Sequence, residues 1–126
     1  MGRSPVAVRP ISAEERAVLE RALRFAATDD AAGLPIEKLG SLHVVGKCPC
    51  GCASVDFRHL KEGEIAEVVA DAIGETRDGE QVDVLVFALD GEVVALEIVG
   101  YADTPARLPI ASTVRGWDGQ GSQVAE

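Results

Sequence analysis

Aromatic residues are scarce in this chain: three Phe, one Tyr and one Trp among 126 positions. A core of stacked rings is excluded, so Val, Leu, Ile and Ala must fill whatever interior forms. Long apolar runs are missing as well. None approaches the about 20 residues that cross a bilayer as a helix. Met1-Gly2-Arg3-Ser4-Pro5 opens no stretch resembling the apolar part of a secretory leader, so a cytoplasmic setting is expected. Cysteine is limited to three residues in one short stretch, and an odd count does not suit a disulfide-stapled secreted scaffold. Familiar catalytic signatures are also lacking: no Gly-x-Ser-x-Gly elbow, no His-Glu-x-x-His helix, no phosphate-cradling glycine loop. Gly46-Lys47 has neither the upstream Gly nor the following Ser or Thr of a P-loop. These absences point to a protein that is not an enzyme.

Basic charge is missing where acidic charge is densest. The chain carries a formal net charge of −9, yet residues 1–61 hold nine Lys or Arg against seven Asp or Glu. Residues 62–103 hold twelve acids and one base, Arg77. Such a surface repels a phosphate backbone and anionic lipid, so neither direct nucleic-acid binding nor membrane adsorption is expected. It attracts a basic protein partner through long-range steering. The leading expectation is a small acidic, non-enzymatic protein-binding module of the inhibitor, immunity or adaptor kind. It would act through residues 62–103, with Glu75, Asp78 and Glu80 as partner-binding acids. In a variant of this reading the carboxylates mimic nucleic-acid charge and block a DNA- or RNA-binding protein, which requires a continuous acidic stripe. Solubility alone is the plainer use of an acidic composition.

What is present describes one α+β domain over residues 1–110, with residues 111–126 as a Gly-rich, flexible tail carrying the lone Trp117. Residues 1–10 read as an extended lead-in. Ser12 and Glu15 have capping-box spacing, and Leu19, Ala22, Leu23 and Ala26 follow as one helical stripe, with Glu14, Arg21 and Arg24 on the wet side. Residues 36–39 offer a further turn. Residues 42–47 and 54–60 read as strands, the second with Val55, Phe57 and His59 on one face. Residues 82–89 are apolar on both faces except at Asp83, as in a central strand. Asp90-Gly91 then turns the chain into a partner strand over residues 92–100. Together these predict an N-terminal helix on a mostly antiparallel sheet of four to five strands, wound as successive hairpins. A sheet covered on one face would leave apolar residues such as Val84 or Val93 exposed, which predicts a homodimer.

Residues 65–75 are ambiguous. Ile65, Val68, Val69, Ala72 and Ile73 match a helical stripe, while Val69, Asp71 and Ile73 also fit a strand entering the Asp78-Gly79 turn.

The sharpest chemical feature is Cys48-Pro49-Cys50-Gly51-Cys52. Thiolates are soft ligands for zinc or copper(I), and Pro and Gly let neighbouring Cys side chains converge. The usual second Cys pair of a structural zinc site is missing, so His43 and His59, in the flanking strands, are the candidates for a fourth ligand. Zinc is therefore the candidate cofactor. Redox chemistry is a second use of close thiols, although the Cys-x-x-Cys spacing of thioredoxin-like enzymes is absent. Inert packing in a reducing compartment is a third. Among the acids, Glu97 lies in an apolar stretch where burial would raise its pKa; it and Asp83 are the carboxylates a small enzyme would use.

Several pieces between residues 44 and 109 form a recognisable pattern. They are Val44-Val45-Gly46-Lys47-Cys48, Cys50-Gly51-Cys52-Ala53-Ser54-Val55, Asp78-Gly79-Glu80, Phe87-Ala88-Leu89-Asp90-Gly91-Glu92, Leu96-Glu97-Ile98 and Leu108-Pro109. On these the chain resembles a group of small uncharacterised bacterial α+β proteins. The resemblance implies a strand over residues 69–75 and carries no activity or ligand.

Overall fold

The computed structural model describes residues 4–31 and 34–117. Capping decides where the chain first becomes helical. The Ser12 hydroxyl accepts from the Glu15 N–H at 3.0 Å, and the Glu15 carboxylate accepts from the Ser12 N–H at 2.9 Å. This closes the capping box that the sequence announces and starts helix α1, Ala13–Phe25. Arg9 adds a clamp, donating to both Glu15 carboxylate oxygens at 2.7 and 3.0 Å. The helix buries Val18, Leu19, Ala22 and Leu23. Arg21 departs from the wet side assigned to it. Its guanidinium sits 4.5 Å from the Phe25 ring centroid and donates to the Ser112 and Val114 carbonyls at 3.1 and 3.0 Å.

The strands are β1 (Ser4–Pro10), β2 (His43–Lys47), β3 (Val55–Asp56), β4 (Glu67–Glu75), β5 (Gln81–Leu89), β6 (Glu92–Gly100) and β7 (Arg115–Gly116). They form one antiparallel sheet in the order β1-β2-β3-β6-β5-β4-β7. Seven strands replace the expected four to five, because the lead-in pairs with β2 and residues 115–116 pair with β4. Only Val55–Asp56 of the longer strand expected at residues 54–60 joins the sheet. Residues 67–75 are a strand. Eight register pairs tie β4 to β5, and Ile65, which a helix would have buried, is 80% exposed. The β5–β6 hairpin turns at Asp90 (φ 54°) and Gly91 (φ 79°), the left-handed pair that matches the twist of flanking strands.

Helix α1 packs on β4, β5 and β7 on one face of the sheet. Val82, Val84, Val86 and Ala88 of β5 point into that core with Leu96 and Ile98 of β6 and Val44 of β2. Val84 and Val93, the apolar residues named for the homodimer expectation, are 0% and 5% exposed. Intervening residues of β5 face the other way and are half-buried: Asp83, Leu85 and Phe87. The tail expectation also needs correcting. Val114 is fully buried, the Thr113 hydroxyl accepts from the Glu75 N–H at 2.9 Å, and β7 closes the sheet edge, so residues 111–117 belong to the domain. The remainder of the expected tail lies outside the described residues.

Candidate metal centre

The three cysteines occupy the connection between β2 and β3. Pro49 presets the bend, and the Gly51 N–H donates to the Cys48 carbonyl at 3.2 Å. Gly51 takes φ +92°, which brings the chain back so that the Cys52 N–H donates to the Cys50 sulfur at 3.3 Å. The turn is anchored on both sides. Cys48 N–H bonds the Ser54 carbonyl at 3.4 Å, and Ala53 N–H bonds the Ala106 carbonyl at 2.9 Å. Ser54 is 2% exposed, and its hydroxyl accepts from the Ile98 N–H at 2.8 Å. The base of the turn is therefore fastened to β6.

On this base the three Sγ atoms lie within 4.8 Å of one another, with Cys48 Sγ and Cys50 Sγ 2.8 Å apart. All three are free thiols; Cys50 is exposed and the other two are half-buried. Cys52 packs against the margin of the hydrophobic core, while Cys50 is turned to solvent. Zinc–sulfur bonds of about 2.3 Å at tetrahedral angles place sulfurs about 3.8 Å apart, so small side-chain rotations would seat an ion.

Their acidities differ. Burial pushes the Cys52 thiol up, but its hydrogen bonds with Ser54, Cys50 and Cys48 outweigh it and bring the thiol to about 7. Cys50 is pushed up to about 11, chiefly by its hydrogen bonds with Cys48 and then Cys52. Of Cys50 and Cys52, Cys52 is the first to ionise. It lines a depression of about 350 Å³ together with Lys47, Arg9 and Glu15.

Neither imidazole is brought to the sulfurs. His43 stands at the start of β2, while the thiols follow its end, a strand length of roughly 13 Å at 3.3 Å per residue. Its Nδ1 pairs with the Ser41 carbonyl at 3.1 Å. His59 lines an open depression of about 500 Å³ on the far face of the sheet, with Asp56, Arg58, Phe87 and Glu97. Glu97 points outward there, half-buried. Asp83 accepts from the Tyr101 hydroxyl at 2.6 Å. The expected partner-binding acids sit at the β4–β5 hairpin, where Glu75 meets Arg115 at 3.3 Å and Asp78 and Glu80 are exposed.

Sequence reasoning passed over Ser54, the polar post beneath the thiols. Its signal was a lone Ser at the start of a strand two residues from a cysteine, too common to single out. No family model, curated protein or solved structure matches the chain. Among the described residues no helix is long and apolar enough to cross a membrane.

Proposed function

We propose that the protein is a small acidic binding module that holds a soft metal ion, zinc in the first instance, through Cys48, Cys50 and Cys52. The observation that carries this reading is the convergence of three free sulfurs on one anchored, solvent-facing turn. Thiolate donors select zinc or copper(I) over hard cations such as magnesium and calcium. Three protein sulfurs leave one tetrahedral position to water or an external donor, the pattern of a site that exchanges ligands rather than a sealed structural one. Cys52 supplies a thiolate near neutral pH, and the ion lowers the proton affinity of the other two on binding. Free thiols also suit the reducing, cytoplasmic setting proposed for the chain.

Elemental analysis of protein purified without chelator tests the proposal. One equivalent of zinc or copper is expected, falling below about 0.2 equivalents in Cys50→Ser, where loss of one of three donors weakens the site sharply. A wild-type value below about 0.2, with no uptake of added zinc, would contradict it.

A further inference from the structure

The face of the sheet opposite α1 carries carboxylates and apolar side chains in alternation. Asp71 of β4 stands opposite Leu85 of β5, and Leu85 opposite Glu97 of β6. One row on, Ile73 is opposite Asp83, which is opposite Val99. Two aromatic residues border this surface. The Tyr101 hydroxyl donates to Asp83 at 2.6 Å, and Trp117 Nε1–H donates to Asp71 at 3.0 Å. Their side chains are nevertheless 66% and 55% exposed, so the rings are oriented by their polar ends without being covered. Exposed, pre-oriented Tyr and Trp beside apolar residues are the composition of interface anchors.

The charge decides what fits. Arg115, the cation on the neighbouring β7, is held by Glu75 at 3.3 Å, and Arg58 beyond the opposite side is held by Glu64 at 2.9 Å. A second copy of the chain would set these acids against their own kind, which costs free energy. Nucleic-acid mimicry needs acids in unbroken succession, whereas Leu85, Ile73 and Val99 interrupt them here. We infer that this face docks a basic amphipathic segment of another protein, with Lys or Arg on Asp71 and Asp83 and apolar residues against Leu85 and Val99. The inference does not depend on metal at the cysteine turn. It moves the expected partner surface from the hairpin acids to the open face.

Trp117 is the only tryptophan, so its emission reports on this face alone. The full chain is titrated at low salt with a synthetic peptide of alternating lysine and valine, following Trp117 emission and binding heat. Saturable binding that shifts the emission and weakens with added salt is expected. Asp71→Asn with Asp83→Asn should weaken it by about tenfold or more, against less than about twofold for Asp78→Asn with Glu80→Gln. The second pair removes the same charge elsewhere. Equal weakening by both pairs would show attraction to bulk charge and overturn the inference. So would the absence of saturable binding by the wild-type protein, or a stable dimer in sedimentation that covers Trp117.

Discussion

Single side chains set the two ends of this account, one in the helix cap and one beneath the thiols. Burial pushes the Glu15 carboxyl up, yet the hydrogen bonds from Arg9 and Ser12 prevail and hold it below its ordinary value near 4.5. An acid with a depressed folded pKa contributes stability that is full above the unfolded value and is lost as pH falls through the folded one. Glu15→Gln should therefore melt lower than wild type at neutral pH, by about 1 kcal/mol given the half-exposed Arg9 partner. The gap should narrow below about pH 4.5. Thermal melts of both proteins across pH 3–7 check this, and a gap independent of pH would contradict the role given to Arg9. Ser54→Ala removes the acceptor of the buried Ile98 N–H and a hydrogen bond to Cys52. The cost in denaturant unfolding should be about 1–3 kcal/mol. In metal-free protein, the pH at which Cys52 becomes alkylatable should move upward from about 7.

At the level of elements, legibility followed how local the governing physics was. The α1 cap rests on Ser12 and Glu15, three positions apart, and the β5–β6 turn on the adjacent Asp90-Gly91, so both could be read from the chain. Strand β4 could not be read from periodicity. Its residues satisfy two periods at once, and pairing with β5 decides between them. Strands β1 and β7 depend on partners 33 to 44 residues distant, which no local pattern encodes. The same holds for the site. Convergence of the three sulfurs was legible because Pro49 and Gly51 act within the turn, while the separation of His43 and His59 from it follows from the strands between them. Strand β7 is also a sharp test. Ending the chain at residue 110 removes buried Val114, the β4–β7 pairing and the carbonyls that Arg21 grips. The loss of Val114 burial alone amounts to about 1.5–3 kcal/mol. The shortened chain should show a clearly lower melting temperature; an unchanged one would return residues 111–117 to a dispensable tail.

Across the whole molecule, helix and sheet divide the surface into parts with different chemistry. One face of the sheet carries α1 and supplies the core, and the other presents acids between apolar residues. The thiols lie on a loop at the margin of the core, its base stitched to β6 and to residue 106. A rigid sheet can thus hold a soft, exchangeable site at one place and offer a docking face at another. X-ray absorption at the zinc edge of the metal-loaded protein tests the central claim most directly. Three sulfur neighbours at about 2.3 Å, with one lighter atom completing the shell, are predicted. A shell of nitrogen and oxygen without sulfur would contradict it.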